Sequence, residues 1–243
     1  MDFDKVCSDI KTLKIQGAVS IAKSGTEAFY FYFLKNKESK NILSKLKKAA
    51  TKLSKTRATE PALRNVLSYY FSDIEKCKTN KELEKHFKQK YKEIKNHFKE
   101  SKQKILDIGY KIIKNNDVVY THCHSSLVCD ILKYAWKKGK KFEVYNTETR
   151  PLFQGRKTAK ELSNVGIPIT HFVDSAARQA IKKSDIIFLG VDAISTTKIY
   201  NKIGSETIAI LASMYDVPVY FCTDSWKFDS KTIFGFDEEI EKR

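Results

Sequence analysis

The sequence predicts an α/β protein in which an N-terminal helical domain, residues 1–115, is followed by a parallel-sheet domain, residues 116–243. Two observations lead to this fold class. Up to about residue 115, apolar residues recur at helical spacing. From Asp117 onward, short apolar strands alternate with amphipathic helices. This alternation predicts right-handed βαβ units and a parallel sheet that is covered on both faces.

The first half of the chain is expected to contain five helices. The residues whose spacing predicts the first helix are Phe3, Val6, Ile10 and Leu13. Pro61 ends the loop at 56–61, and proline suits the first turn of the helix that follows. The predicted helices cover residues 3–13, 19–34, 41–53, 62–74 and 83–113. Because no linker rich in Gly, Ser or Pro follows them, we expect the helical domain to pack directly on the second half.

The second half is expected to alternate between strands and helices. Gly139 and Gly166 suit the C-terminal caps of two of these helices. The tail at 236–243 is polar and is expected to be frayed or helical. The predicted strands cover residues 117–121, 141–146, 167–172, 185–189 and 217–222, and the predicted helices cover 127–138, 154–164, 175–182 and 205–214.

Composition narrows the class of protein. The 243 residues are enough for one large or two small domains with a sizeable core. No apolar run approaches the roughly 20 residues that span a membrane, and the mixed, acidic start does not resemble a signal peptide. The five cysteines are odd in number and scattered, which favours reduced thiols in a cytoplasmic protein over a disulfide framework.

The chain is strongly basic, since 45 Lys and Arg against 29 Asp and Glu give a net charge of +16. One interpretation is an electrostatic surface for nucleic acid or phosphorylated ligands. The other is a lysine excess spread over solvated helix faces. The few arginines are the better guide to chemistry, because a guanidinium binds phosphate with a rigid pair of donors.

Polar residues follow each of the five predicted strands. Parallel strands bring their carboxyl ends to one edge of the sheet, where α/β proteins bind ligands. The residues expected at this edge are Cys123, Glu148, Arg150, Asp174, Asp192 and Lys227. The sequence therefore predicts a site that combines a thiol, carboxylates and cations.

Cys123 lies between a strand and a helix that Ser125 or Ser126 would cap. Helix-end N–H groups there would favour a reactive thiolate, whereas the alternative is a buried structural thiol. A metal site at His122, Cys123 and His124 is not predicted. Successive strand residues point to opposite faces, so three adjacent ligands cannot converge on one ion.

Other positions offer chemistry, each with a simpler alternative. Asp192 ends an apolar strand, where partial burial would raise its pKa and suit a general acid or base, but an Asx turn or cap is the alternative. Residues 16–18 at a helix start could offer N–H groups to a phosphate, or form a simple turn. Asn201 and Lys202 could bind a phosphate or sugar hydroxyls, or lie in a solvated turn.

Two arginines in the segment TETRPLFQGR also have two interpretations. Arg150 and Arg156 are either phosphate clamps or salt-bridge partners of Glu148 and Glu161. The sequence contains no P-loop, no GxGxxG and no Ser/His/Asp signature.

Matched segments run from about residue 15 to residue 235, and six motifs stand among them in order. They are THCHSS, TETRPLFQGRKTAKEL, GIPITHFVDSA, GVDAI, YNKIGS and SWKFDSKTIFG. This set resembles the superfamily of the alpha, beta and delta subunits of translation initiation factor 2B, methylthioribose-1-phosphate isomerase and archaeal ribose-1,5-bisphosphate isomerase. TETRPLFQGRKTAKEL and SWKF are most similar to the archaeal ribose-1,5-bisphosphate isomerases and the archaeal factor-2B-like proteins near them.

The resemblance implies a fold, an assembly and a site. The fold is an N-terminal helical domain and a C-terminal Rossmann-like domain, and the assembly is a homo-oligomer, a dimer or a hexamer-of-dimers type. The isomerases use a Cys and an Asp for proton transfer, which correspond to Cys123 and Asp192. The substrate-binding positions that carry over are Gln16, Gly17, Ala18, Arg57, His124, Ser125, Arg150, Asn201, Lys202 and Lys227.

The implied reaction converts ribose 1,5-bisphosphate to ribulose 1,5-bisphosphate in nucleoside or AMP degradation, with AMP as an activator and no metal or redox cofactor. Gln16 departs from the family, which usually has arginine there. Since a charged hydrogen bond is worth roughly 1.5–3 kcal/mol, its loss would lower affinity about tenfold to a hundredfold. Ala58 stands where the family tends to have proline, and the loop at 192–201 and the helical domain are short.

Two other functions remain open. Gln16, the short chain and the charge of +16 favour a non-catalytic factor-2B-like regulatory protein that binds a nucleotide or sugar phosphate and contacts translation initiation factor 2 or RNA. Methylthioribose-1-phosphate isomerase is the weaker alternative, because the sequence does not reveal an apolar pocket for a methylthio group.

Overall fold

The computed structural model describes residues 1–234. Contacts between residues divide the chain into two compact units. The first unit contains Met1–Glu100, Asp192–Ile199 and Ser225–Arg243, and the second contains Ser101–Val191 and Tyr200–Asp224. The units alternate along the chain, whereas the sequence predicts one division after residue 115. The predicted domain boundary at residues 115 and 116 stays a prediction. The predicted tail at 236–243 lies outside the described residues.

Helices build the first unit, and the five predicted helices are confirmed. Asp2 caps the first of them, because its carboxylate accepts hydrogen bonds from the N–H groups of Asp4 and Lys5 at 2.9 and 3.3 Å. Pro61 occupies the first turn of the fourth. The helices are α1 (Phe3–Lys11), α2 (Ala18–Asn36), α3 (Ile42–Ser54), α4 (Pro61–Phe71) and α5 (Asn80–Ile112), which continues into the second unit.

Aromatic side chains form the centre of the first unit. Phe33 stacks on Phe87 with ring centroids 4.3 Å apart, and Phe29 meets Tyr70 edge to face at 5.2 Å. All four are fully buried, and the hydroxyl of Tyr70 donates to the carbonyl of Thr26 at 3.1 Å. Large aromatic surfaces of this kind contribute much of the apolar burial that stabilises a helical core.

A five-stranded parallel sheet builds the second unit, as predicted. Across the sheet, the strands lie in the order β3 (Ile169–Phe172), β2 (Glu143–Thr147), β1 (Val118–His122), β4 (Ile186–Leu189) and β7 (Val219–Phe221). A separate two-stranded sheet pairs the short segments Ala193–Ile194 and Ile199–Tyr200. In chain order the strands are β1 (Val118–His122), β2 (Glu143–Thr147), β3 (Ile169–Phe172), β4 (Ile186–Leu189), β5 (Ala193–Ile194), β6 (Ile199–Tyr200) and β7 (Val219–Phe221).

Apolar residues cover both faces of this sheet. Val119 of β1 belongs to one buried cluster, and its neighbour Tyr120 belongs to the other. This alternation follows the pleat of the strand. The first cluster includes Ile131 and the second includes Ile208. The helices of this unit are α6 (Ser126–Lys137), α7 (Gln154–Ser163), α8 (Ala177–Ile181) and α9 (Ser205–Met214).

The last part of α5 packs on α6 within the second unit. A Cβ added at Gly109 would lie 2.7 Å from Cγ2 of Ile131, so the glycine permits close approach of the two helices. The hydroxyl of Tyr134 donates to Asp107 at 2.9 Å. In the described part of the chain, residues 1–234, no helix is both long and apolar enough to cross a membrane.

Candidate functional site

Cys123 directly follows the central strand β1. Its backbone has φ of +66°, in the left-handed region that costs a residue other than glycine about 1–2 kcal/mol. Ser125 then caps α6, since its hydroxyl accepts from the N–H of Val128 at 3.4 Å. The thiol is thus carried by a strained turn between the sheet and a helix N-terminus, and such strain often marks functional sites.

Two threonines hold the backbone of Cys123. The N–H of Cys123 donates to Oγ1 of Thr149 at 2.9 Å, and Oγ1 of Thr158 donates to the carbonyl of Cys123 at 2.8 Å. Thr149 follows β2 and Thr158 lies in α7. Both are fixed in the interior, with exposed fractions of 0 and 1 %. Sequence reasoning missed these threonines, although both lie in the motif TETRPLFQGRKTAKEL.

His122 ends β1 and links the sheet to the loop before α9. Its Nε2 donates to the carbonyl of Ile203 at 2.9 Å, so its Nδ1 accepts the hydroxyl of Thr147 at 2.6 Å. Burial lowers the pKa of His122 and outweighs the bond to Ile203 and the charge of Asp174, which raise it. The ring is therefore neutral at pH 7 and acts as a fixed connector.

His124 bonds to α7. Because the hydroxyl of Thr158 donates to Cys123, Nδ1 of His124 donates to the oxygen of Thr158 at 3.0 Å. Burial lowers the pKa of His124, and Lys157 lowers it as well. His122 and His124 thus have separate hydrogen-bond partners.

One other group of metal-ligand side chains lies in this unit. Ligand atoms of His124, Cys129 and Glu161 are all within 4.8 Å of one another. One carboxylate oxygen of Glu161 is 2.6 Å from Nζ of Lys133, however. Burial also raises the pKa of Cys129 to about 12, which favours the neutral thiol. The three side chains thus form a hydrogen-bonded cluster with Thr158 and Lys133 in this structure.

The loop after β2 carries Arg150. Asp174 shapes this loop, because its carboxylate accepts from the N–H groups of Thr149 and Arg150 at 2.8 and 2.7 Å. The guanidinium of Arg150 is exposed and lies 4.8 Å from the ring of Phe153. Nearby, Nη2 of Arg156 is 3.1 Å from Glu148.

Of the two interpretations of Arg156, a salt bridge with Glu148 is the one the structure supports. The other expected acceptor, Glu161, pairs with Lys133 at 2.6 Å instead. Arg150 is therefore the better candidate for a phosphate ligand in this loop.

Gly190 brings Ser125 and Asn201 close to the end of β4. A Cβ added at Gly190 would lie 2.8 Å from Cβ of Ser125 and 3.9 Å from Oδ1 of Asn201. Asn201 donates to the hydroxyl of Ser205 at 2.9 Å, and that hydroxyl donates to the carbonyl of Lys202 at 2.7 Å. The second unit therefore gathers predicted residues from three loops at the carboxyl edge of its sheet.

In the first unit, the predicted helix start at residues 16–18 is confirmed. Gly17 has φ of +84°, which suits glycine, and it precedes the first residue of α2 without a side-chain cap hydrogen bond. Gln16 turns back, with Nε2 donating to the carbonyl of Leu13 at 2.6 Å. A helix N-terminus of this kind offers N–H groups to a phosphate.

Arg57 and Lys227 are held in the interior of the first unit. Nε of Arg57 lies 3.3 Å from Oε1 of Glu60, and the two side chains are 14 and 2 % exposed. Lys227 is 5 % exposed in the short 3₁₀ helix Ser225–Lys227. Sequence reasoning missed Glu60, because no local pattern shows that it is buried beside Arg57.

Asp192 differs from its expected environment. We expected partial burial at the end of an apolar strand, but Asp192 is exposed. The physical reason is the direction of the side chain: Val191 and Ala193 on either side are buried, and Asp192 between them faces outward. The proposed role of Asp192 therefore cannot rest on a pKa raised by burial.

The predicted site residues fall into two sets. Those in the first unit are Gln16, Gly17, Ala18, Arg57, Asp192 and Lys227. Those in the second unit are Cys123, His124, Ser125, Arg150, Asn201 and Lys202.

Comparison with known proteins gives relatives over nearly the whole chain. The ribose 1,5-bisphosphate isomerase of Thermococcus kodakarensis is 34% identical over 98% of this chain and 76% of its own length. The solved structure of translation initiation factor eIF-2B from Pyrococcus horikoshii OT3 matches with a TM-score of 0.81 at 25% identity, over 93% of this chain and 79% of that one.

A second solved structure agrees in fold. The tetrameric eIF2B-beta2-delta2 complex from C. thermophilum matches with a TM-score of 0.84 at 19% identity, over 93% of this chain and 77% of that one. The model of the initiation factor 2 subunit family matches residues 14–243. Together with the cysteine turn and the parallel sheet, these matches show that the chain belongs to the initiation factor 2 subunit family.

Proposed function

We propose that this protein is an aldose–ketose isomerase that converts ribose 1,5-bisphosphate to ribulose 1,5-bisphosphate. The observation that carries the proposal is the turn of Cys123, held on both sides by Thr149 and Thr158 at the N-terminus of α6. Helix-end N–H groups favour a thiolate over a thiol. The similarity to a ribose 1,5-bisphosphate isomerase over 98% of the chain supports this substrate.

The proposed chemistry follows from the substrate. A phosphate on C1 prevents simple ring opening to an aldehyde, so the ring must open during the reaction itself. Asp192 protonates the ring oxygen while the thiolate of Cys123 takes the proton from C2. The bond between C1 and the ring oxygen breaks, and a double bond forms between C1 and C2. The enol becomes a C2 ketone when the thiol of Cys123 returns its proton to C1 and the carboxylate of Asp192 takes the proton of the C2 hydroxyl.

The same proposal gives roles to the cations. Arg150, Lys202 and Lys227 bind phosphate oxygens, together with the N–H groups near Gly17. Asn201, His124 and Ser125 complete the set that we propose for the substrate. Asp192, whose side chain is exposed, returns to its acid form when it takes the proton of the enol hydroxyl.

The further substrate-binding positions are Gln16, Ala18 and Arg57. Binding energy from the two phosphates would then hold the reacting atoms in place. Arg57 would act through its fixed guanidinium beside Glu60. Gln16, which turns back onto Leu13, would contribute less than the arginine usual in the family.

Purified protein with ribose 1,5-bisphosphate, assayed for ribulose 1,5-bisphosphate, tests the function directly. We expect turnover that Cys123→Ser abolishes while saturable substrate binding remains. Cys77→Ser is the matched control, because Cys77 is a half-buried free thiol of the first unit outside the proposed site. Ordinary activity in Cys123→Ser would remove Cys123 from the mechanism, and no turnover in the wild type would refute the isomerase.

Three finer proposals accompany this one. We propose that AMP activates the enzyme, and an AMP titration in the same assay tests this proposal.

We propose that the protein forms a homo-oligomer, a dimer or an assembly of dimers. The likeness in fold to a subunit of a tetrameric complex supports this assembly. Light scattering would measure its mass. We propose a reducing, cytoplasmic compartment, which the absence of a disulfide among the five cysteines of the described residues supports.

One observation favours a second candidate function, a factor-2B-like regulatory protein that binds a nucleotide or sugar phosphate and contacts translation initiation factor 2. The side chain of Gln16 bonds to Leu13 where the isomerases usually have a cation. Phosphate binding would then be weaker, and the likeness to an eIF-2B structure fits this alternative. It predicts a thermal shift with AMP or sugar phosphates and no turnover, which the isomerase assay distinguishes.

A further inference from the structure

Asn65 of α4 makes two hydrogen bonds around Lys227. Its Nδ2 donates to the carbonyl of Trp226 at 2.7 Å and to the carbonyl of Phe228 at 2.8 Å. These carbonyls belong to the residues immediately before and after Lys227. Both N–H bonds of one side-chain amide are thus used to fix the backbone on either side of the lysine.

The neighbouring residue of α4 holds the next part of the same segment. Nη2 of Arg64 lies 2.9 Å from Oδ2 of Asp229, and the two side chains are 15 and 5 % exposed. Arg64 also donates to the carbonyl of Ala58. Consecutive residues of one helix therefore hold residues 226–229 through three side-chain hydrogen bonds.

The segment is joined in turn to the strand that follows Asp192. Phe228 pairs with Ile194 in a parallel bridge, and the N–H of Asp229 donates to the carbonyl of Ile194 at 2.7 Å. Ile194 is two residues beyond Asp192. Within the first unit, the backbone segments that carry Lys227 and Asp192 are thus linked to each other and, through Asn65, to α4.

We infer that Asn65 is a positioning residue for Lys227, an inference that rests on the proposed function for its meaning in the reaction. A lysine side chain has a flexible stem of four carbons and loses much conformational freedom when it is ordered. Fixing the backbone on both sides defines the point from which the side chain extends. Asn65 does not contact substrate in this scheme; it sets where the ammonium group of Lys227 meets a phosphate.

The test replaces the amide with a group of the same shape that cannot donate. In Asn65→Asp a carboxylate oxygen faces the carbonyls of Trp226 and Phe228, so both hydrogen bonds are lost. We expect KM for ribose 1,5-bisphosphate to rise about tenfold, with kcat changed less than about threefold, because phosphate binding precedes the proton transfers. Asn65→Ser, which is too short to reach either carbonyl, serves if the aspartate variant does not fold.

Asn36→Asp is the matched control. Nδ2 of Asn36 donates to a single carbonyl, that of Tyr32, at 2.8 Å near the end of α2. This substitution removes one amide donor in the same unit without touching the segment at 226–229. We expect it to leave both kinetic parameters within twofold of the wild type.

A double-mutant cycle separates positioning from general stabilisation. If Asn65 acts through Lys227, then Asn65→Asp in a Lys227→Met background changes KM by less than about twofold. A full additional rise in the double variant would overturn the inference, as would an unchanged KM in the single variant.

Hydrogen exchange of the amides of residues 225–229 gives a readout independent of turnover. We expect faster exchange there in Asn65→Asp than in Asn36→Asp, with other helices unchanged. Equal exchange in the two variants would overturn the inference whether or not the protein is an isomerase. Loss of all wild-type turnover and binding would instead refute the proposed function, and exchange would still decide whether Asn65 holds the segment.

Discussion

His122 shows how a single residue can join parts of the candidate site without taking part in the chemistry. A carbonyl can only accept, so the bond to Ile203 fixes which ring nitrogen carries the proton. In the neutral ring, which burial favours, Thr147 donates to the other nitrogen, and the hydroxyl of Tyr120 lies 3.2 Å from Thr147.

We predict that stability falls as the pH drops below the ordinary pKa of histidine. Burial lowers the pKa of His122 below 6.5, so the unfolded chain binds more protons than the folded one between the two pKa values. The stabilisation is complete above about pH 6.5 and is lost as the pH falls through the folded pKa. Urea unfolding midpoints of the wild type and His122→Gln, from about pH 7.5 to about pH 5.5, would measure it.

The variant should show a weaker pH dependence than the wild type, but not none. Burial lowers the pKa of His124 in the same direction, so this second histidine still contributes in His122→Gln. His171, an exposed histidine of β3, provides the control as His171→Gln. Identical pH dependence in the wild type and His122→Gln would contradict the assignment of the neutral imidazole.

Several site residues could not be predicted, because their contacts join residues that are far apart in sequence. Cys123 and the cap Ser125 were predicted, because a strand, a helix cap and an apolar stripe are all local patterns. Thr149 and Thr158 were not, because each meets Cys123 across 26 and 35 positions in sequence. Asp192 was expected to be partly buried but is exposed, since an apolar strand nearby does not show to which side the next polar side chain points.

At the scale of elements, the contact between α7 and β2 depends on one glycine. A Cβ added at Gly155 would lie 1.8 Å from the carbonyl oxygen of Thr147. The N–H of Gly155 donates to the carbonyl of Glu148 at 3.1 Å, and its own carbonyl accepts from Asn146 at 2.8 Å. The first turn of α7 therefore lies against the end of β2 with no room for a side chain.

We predict that Gly155→Ala destabilises the protein by more than about 3 kcal/mol, because backbone atoms must move apart to admit the methyl group. Gly139→Ala is the control. Its Cβ would meet nothing within 4 Å, so only its φ of +90° imposes a cost, about 1–2 kcal/mol. Thermal unfolding of both variants gives the comparison. Equal losses in the two would show that the helix and strand can separate easily.

The order of elements was easier to predict than their grouping. Alternating strands and helices identify a parallel sheet, since each strand has apolar residues of its own and each helix an apolar face. The division into compact units depends on contacts such as that of Asn65 with Trp226, 161 positions apart. A linear reading of composition could not show that residues 192–199 and 225–229 belong with the N-terminal helices.

At the scale of the whole molecule, the net charge of +16 gives the protein a positive field that attracts anions. Much of this positive charge comes from lysines that face solvent. Lys47, Lys48 and Lys55 line an open depression on the surface of the first unit, and a fourth lysine there, Lys52, pairs with Asp4 at 2.6 Å. Such lysines attract anions at a distance without forming a specific site.

This field predicts that salt weakens substrate capture and leaves the chemistry unchanged. A bisphosphate is attracted by the field, and the screening length shortens from about 10 Å at 0.1 M salt to about 3 Å at 1 M. We expect KM for ribose 1,5-bisphosphate to rise several-fold between about 0.05 M and about 0.5 M KCl, with kcat within about twofold. Steady-state kinetics across this range would measure the change in KM, and unfolding midpoints at each salt concentration would control for stability.

In the double variant Lys47→Gln/Lys48→Gln, the rise in KM with salt should be smaller, because two positive charges are gone. A KM independent of salt would mean that local contacts alone bind the phosphates and that the lysine excess serves only solubility.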